Sequence, residues 1–174
     1  AASSVYVKNK HKMCGELGIY SEVINMPENI SQGELIEKIT ELNCDDKFSG
    51  ILVQLPVPKH IDTFAVIESI SPVKDVDGFT SVNTGRLFSG MPCSIPCTPK
   101  GIIHLIKSTG VCISGKHAVV MGRSNIVGKP VALELLQENA TVTICHSKTE
   151  DLAQITSQAD ILVVSVVKAG IIKK

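Results

Sequence analysis

Tryptophan is absent from this 174-residue chain, which holds only two tyrosines and four phenylalanines. A surface that stacks on unpaired bases needs several aromatic rings, so nucleic acid is not an expected partner. The formal net charge is zero, which removes the electrostatic argument for a polyanion or an anionic membrane surface. No apolar run approaches the ~20 residues that span a bilayer, and the first residues carry no signal-peptide pattern. The six cysteines (14, 44, 93, 97, 112 and 145) contain no C-x-x-C pair and sit mostly in apolar or helical contexts. Reduced, buried thiols in an intracellular protein, cytoplasmic or else mitochondrial, are expected, not a disulfide framework or a zinc site. His11, His60, His104, His117 and His146 show no metal-ligand spacing, and no metal is expected.

What the chain does have is a glycine turn. The apolar run His117–Met121 reads as a buried strand, Gly122 follows at once, and Val127–Asn139 has helical apolar spacing. A strand that breaks through glycine into a helix start gathers free backbone N–H groups at the positive end of a helix dipole, which suits phosphate. Gly122 and Gly128 match the dinucleotide fingerprint, while Ser124 takes the middle glycine's place. The plain alternative is an ordinary tight strand-to-helix turn.

Strand and helix signals alternate along the chain. A helix runs from Ser3 towards Gly18, and Tyr20–Met26 reads as a strand closed by Pro27. Ser31-Gln-Gly-Glu34 is a capping box opening a helix that ends near Asn43. Gly50–Gln54 reads as an apolar strand, Asp62–Ile70 as a short helix and Ser71–Gly78 as a turn-rich loop. Thr98-Pro99 reads as an N-cap and first helical residue, with Gly110 just past the end, and this helix is taken as a bridge between domains. After the glycine turn come a strand at Thr141–Cys145, a helix at about Glu150–Gln158 and a strand at Ile161–Val166. The expected fold is α/β with mostly parallel sheets, divided into residues 1–110 and 111–174. The first half opens on a helix and the second stops after three strands, so both domains read as truncated.

In an NAD-selective site an acid about 20 residues past the glycine turn binds the ribose 2′-hydroxyl. Here the second strand ends in Cys145-His-Ser-Lys148 without a carboxylate, and Arg123 lies in the turn. That combination favours NADP, the alternative being that Arg123 and Lys148 are solvated surface charges. Ser3, Tyr6 and Lys10 fall at i, i+3 and i+7, one stripe of a helix. The stripe is either an amphipathic surface or a proton-exchanging amine beside a phenol. Tyr-x-x-x-Lys also occurs in short-chain dehydrogenases, but there it lies downstream of the glycine turn and here it lies far upstream. Gln54 ends its apolar run with an amide able to meet a lysine ammonium or a polar ligand. Asp77 can serve as a turn former or as a two-oxygen acceptor for paired N–H groups.

Six segments together carry a resemblance: Ser3-Ser-Val-Tyr-Val-Lys-Asn-Lys10, Val53-Gln-Leu-Pro56, Lys74-Asp-Val-Asp-Gly78, Pro96-Cys-Thr-Pro-Lys-Gly101, Gly122-Arg-Ser-x-x-Val-Gly-x-Pro130 and Cys145-His-Ser-Lys-Thr149. In this order and spacing the chain resembles the bifunctional methylenetetrahydrofolate dehydrogenase/methenyltetrahydrofolate cyclohydrolases. The resemblance implies an N-terminal folate-binding catalytic domain followed by a Rossmann-like NADP-binding domain. It implies that Lys10 is catalytic, that the Tyr6 ring lies against folate, that Gln54 partners the lysine and that Asp77 anchors the pterin. It further implies that Thr98 lies between folate and nicotinamide. Gly122, Arg123, Ser124, Ile126, Val127 and Ser147 match cofactor contacts, with Arg123 and Ser147 suited to a 2′-phosphate. Tetrahydrofolate substrates and a homodimer are implied as well. The chain departs from the family in lacking its N-terminal strands and its later part. Ser165-Val-Val-Lys-Ala-Gly170 also replaces a small-residue, glycine-containing turn. Two rival readings remain: a two-domain dehydrogenase of the amino-acid or shikimate type, and a non-catalytic folate-binding homologue.

Overall fold

The computed structural model describes residues 2–166 and 170–172. The chain divides into two compact units, Ala1–Lys74 and Asp75–Lys174. This division differs from the one expected at residue 110, because the supposed bridging helix packs within the second unit.

The first unit is helical among its described residues. Helix α1 spans Ala2–Glu16. It stops at Gly18, whose φ of 70° lets Ile19 N–H reach back to the Cys14 carbonyl at 2.8 Å. Helix α2 spans Gln32–Cys44 and opens with the expected capping box: Ser31 Oγ accepts from Glu34 N–H, and Glu34 Oε2 accepts from Ser31 N–H. At its other end Lys74 Nζ donates to the carbonyls of Leu42 and Asp45, a cation at the negative end of the helix dipole. Helix α3, Thr63–Glu68, is capped by Asp62. The core gathers Ile39, Ile51, Ile61, Val66 and Ile70.

Two runs expected as strands are not strands. Tyr20–Met26 forms no strand, and Gly50–Gln54 is reduced to a single bridge residue, Ile51, whose N–H donates to the Lys74 carbonyl at 2.7 Å. A strand needs a neighbour to take up alternate N–H and C=O groups. Beside Gly50–Gln54 that exchange stops after one bridge residue, too short for a strand.

The second unit contains helix α4, Ser81–Phe88, and helix α5, Cys97–Ser108. Thr98 is the second helical residue here and Pro99 the third, the cap being Pro96, in place of the expected Thr98 cap. Proline is tolerated anywhere in a first turn because those N–H groups have no carbonyl to meet. Strand β1, His117–Met121, leads to helix α6, Gly128–Gln137, then strand β2, Thr141–Cys145, helix α7, Leu152–Ser157, and strand β3, Ile161–Val164. The sheet is parallel with order β2-β1-β3, pairing Met121 with both Cys145 and Val164. Helix α6 ends at Gln137, two residues before Asn139, which at φ 65° takes the left-handed terminating position. Ala118, Val120, Ile161 and Val163 of the sheet share a core with Val131 and Leu135 of α6 and Ile103 of α5. The chain leaves β1 toward β2 and returns past it to β3. The carboxyl end of β1 is therefore the switch point at which such sheets bind ligands.

Candidate functional site

In the first unit α1 displays Tyr6 and Lys10 one turn apart, and both are exposed. The Ser3 side chain lies outside the described residues. Lys10 Nζ donates to Gln54 Oε1 at 3.3 Å, so residues 44 apart in sequence meet. The same amide is oriented from its other side, since Gln54 Nε2 donates to the Leu55 carbonyl at 3.0 Å. With its NH₂ occupied, Gln54 presents its oxygen to the amine. The pair holds a primary amine in place by an uncharged acceptor. A surface depression of about 500 Å³ follows directly in sequence, lined by Glu28, Pro56, Val57, Pro58, Lys59 and His60. It includes none of the candidate residues.

In the second unit the carboxyl edge of the sheet collects the other group. Gly122 N–H donates to the Cys145 carbonyl at 2.8 Å, and Ser165 N–H and Oγ–H donate to the Met121 carbonyl at 2.8 and 3.0 Å. Arg123 and Ser147 each lie two residues past a paired strand position, on adjacent loops, and both are exposed. The turn admits only glycine at two points. Gly122 has φ 124°, and a Cβ there would run into Ser165 Oγ and its carbonyl. A Cβ on Gly128 would run into the Gly122 carbonyl, with Arg123 N at 2.8 Å. The strand end and the helix start are thus in direct backbone contact. Ser124 Oγ accepts from Val127 and Gly128 N–H at 3.2 Å each, and the Ser124 carbonyl accepts from Lys129 N–H. The N–H groups of Arg123, Ser124, Asn125 and Ile126 take no partner among the described residues. Four backbone donors without a partner among the described residues precede a ten-residue helix, the kind of groups from which an anion cradle can be built.

Thr98 is exposed in the first turn of α5, and Asp77 is half-buried in the loop that precedes α4. The turn Ser165–Gly170 is described only in part, residues 167–169 lying outside the described set. Sequence reasoning missed three residues around Asp77. Asp75 is 2% exposed, with Thr80 and Asn83 at 1% each. Burial alone would raise the Asp75 pKa, but hydrogen bonds from Asn83 and Thr80 outweigh it and hold the carboxyl below the usual carboxylate range. A carboxylate in an otherwise turn-like run, five residues before a threonine with cap potential, was the available signal. Ser165 was likewise visible only once β3 had been paired with β1. At the end of β2, burial pushes the Cys145 thiol up. All six cysteines are free, but only Cys145 is buried as expected, Cys14 and Cys93 being half-buried and Cys44, Cys97 and Cys112 exposed because they fall at helix ends and in loops.

Two family models match the chain. The tetrahydrofolate dehydrogenase/cyclohydrolase catalytic domain matches residues 1–77, and the NAD(P)-binding domain of the same family matches residues 96–174. A bifunctional protein FolD from Bacillus thuringiensis (strain Al Hakam) is 57% identical over 165 residues, which is 95% of this chain and 58% of the relative. Among solved structures, the bifunctional enzyme FolD from Campylobacter jejuni superposes with TM-score 0.93 at 49% identity, covering 95% of this chain and 59% of that one. The Trypanosoma brucei methylenetetrahydrofolate dehydrogenase-cyclohydrolase, solved with NADP and an inhibitor, gives TM-score 0.91 at 37% identity, covering 96% and 58%. The chain therefore spans about 58% of the length of the curated relatives it matches.

Proposed function

This chain belongs to the tetrahydrofolate dehydrogenase/cyclohydrolase family, and we propose that its protein oxidises 5,10-methylenetetrahydrofolate with NADP and hydrolyses the methenyl product to 10-formyltetrahydrofolate. The observation that carries the reading is the Lys10–Gln54 contact at 3.3 Å, with the amide held by Leu55. Without the family, an exposed lysine on a helix would be unremarkable. An oriented amide oxygen aimed at its amine gives it a defined position.

The anion cradle fits a dinucleotide. Gly122 and Gly128 allow backbone to approach a pyrophosphate where a Cβ could not stand, and the N–H groups of residues 123–126 are available to donate to it. Arg123 and Ser147 are assigned to a 2′-phosphate, Ile126 and Val127 to apolar contact, and Thr98 to the segment between the two ligands. When bound, the nicotinamide supplies a hydride acceptor. For the dehydrogenase step the chain's own task is orientation, because two nitrogens flanking the bridging carbon stabilise the cation by their lone pairs. Tyr6 is assigned to the folate ring and Asp77 to the paired N–H groups of the pterin.

Hydrolysis asks more of the side chains. Water adds to the methenyl carbon and loses one proton; the carbon–N5 bond then breaks as the formyl C=O forms, the hydroxyl's remaining proton leaving and N5 taking up one. We assign the removal of the attacking water's proton to Lys10, with Gln54 holding the amine against the reacting carbon. A homodimer in the cytoplasm completes the proposal. No helix among the described residues is long and apolar enough to cross a membrane, and sedimentation velocity reads the oligomeric state.

The test is a turnover assay of the intact protein with 5,10-methylenetetrahydrofolate and NADP or NAD, followed by a chase of the methenyl product. NADP-dependent formation of the methenyl compound and its decay to 10-formyltetrahydrofolate are expected. Turnover of a shikimate or amino-acid substrate in its place, or folate binding without turnover, would overturn the reading.

A further inference from the structure

Asp77 sits in a loop whose geometry is set by a different carboxylate. Asp75 Oδ1 accepts from Gly78 N–H at 2.8 Å. Its Oδ2 accepts from Thr80 N–H at 2.9 Å, from Thr80 Oγ–H at 2.8 Å and from Asn83 Nδ2–H at 2.9 Å. All of these donors, two backbone N–H groups and two side chains, meet on one buried carboxylate. Thr80 Oγ in turn accepts from Asn83 N–H at 3.4 Å and so caps α4. Gly78 closes the loop in the left-handed region at φ 68°, where a Cβ would collide with the Ser94 carbonyl. The backbone of Asp77 is therefore held by Asp75 two residues before it and by a bonded, sterically locked glycine one residue after it. Val76, between them, is 45% exposed and supplies no packing of its own to fix the loop.

We infer that Asp75 is a positioning residue for folate binding, acting through Asp77 by fixing the 75–80 loop onto the start of α4. The inference rests on the reading of Asp77 as the folate anchor. Asp75 is buried and fully engaged within the protein, so it offers no oxygen to a ligand. Its effect on substrate must pass through the loop it shapes. Asn83 and Thr80 belong to the same device, since each supplies a donor to Oδ2.

The experiment is a double-mutant cycle in the intact protein, with tetrahydrofolate affinity read by calorimetry and the Michaelis constant for 5,10-methylenetetrahydrofolate read in parallel. D77N is expected to weaken tetrahydrofolate at least tenfold, and D75N to weaken it by a similar factor with NADP affinity unchanged. D75N/D77N is expected to be no weaker than D77N alone, because a residue acting only through Asp77 has nothing left to act on. A merely structural role would give additive losses and would lower NADP affinity as well. T80V keeps the carboxylate but removes one donor and the α4 cap, and is expected to give a smaller loss that T80S restores, which preserves the test should D75N fail to fold. Wild-type tetrahydrofolate affinity in D75N or T80V beside a weakened D77N, or additive effects in the cycle, would overturn the role given to Asp75. Wild-type affinity in D77N would overturn the anchor reading and the inference with it.

Discussion

Replacing Gly128 by alanine tests whether the turn after β1 holds the cofactor. The added methyl carbon would meet the carbonyl carbon of Gly122 at 2.6 Å and the nitrogen of Arg123 at 2.8 Å. Both are backbone atoms, so no side chain can rotate away and the turn itself must shift. Overpacking of this kind costs about 1–3 kcal/mol in the fold. The shift moves the donors of residues 123–126, and a hydrogen bond to a charged group is worth about 1.5–3 kcal/mol. At about 1.4 kcal/mol per factor of ten, losing one such bond weakens NADP roughly 10- to 100-fold. Calorimetric titration of G128A with NADP measures this directly, beside a thermal melt that shows the variant folded and a tetrahydrofolate titration expected to match the parent. Parental NADP affinity in a folded G128A would show that the turn's close backbone approach has no part in cofactor binding.

Two further predictions address charge. R123A should reduce the preference for NADP over NAD by about 10- to 100-fold, the worth of charge-assisted bonds to a 2′-phosphate, while NAD affinity itself moves little; an unchanged NADP/NAD ratio would remove Arg123 from the 2′-phosphate. Glu134 on α6 is 9% exposed, and burial, aided by Glu138, raises its carboxyl pKa. A raised folded value means that the native state binds more protons than the unfolded chain in that window, so this residue's contribution to stability falls as pH rises through it. E134Q should therefore melt above the parent at pH 8, with the gap closing as pH drops below the ordinary carboxylate range; a gap independent of pH would contradict the assignment.

How much of this was legible in the sequence depended on how local the cause was. The β1–turn–α6 unit declared itself through a fully apolar run, a glycine and amphipathic spacing within about two dozen residues. The capping box at Ser31 and Glu34 was equally local and stands as read. Tyr20–Met26 and Gly50–Gln54 had strand composition but form no strand beyond one bridge residue at Ile51, because pairing is a property of two segments and composition reports only one. Helix α4 escaped notice since Gly85 interrupts a short pattern and its stability draws on a buried Asp75–Thr80–Asn83 network. The expected division at residue 110 followed from reading α5 as a linker. Ile103 lies in the same apolar cluster as Val131 and Leu135, a contact that periodicity cannot disclose. Of the candidate site, amide chemistry left Gln54 open between a lysine and a polar ligand and the family resemblance named Lys10, whereas Ser165 beneath Gly122 and the clamp behind Asp77 required the fold.

The central claim is that the amine held by Gln54 performs the hydrolytic proton transfer while a separate glycine turn binds the dinucleotide. It is tested most directly by K10M, with methenyltetrahydrofolate hydrolysis and NADP affinity measured on the same preparation. Hydrolysis should fall by about 10²–10⁴-fold, the usual worth of a positioned acid–base group, with NADP affinity unchanged. Hydrolysis at the parental rate, or NADP binding lost together with it, would contradict the account.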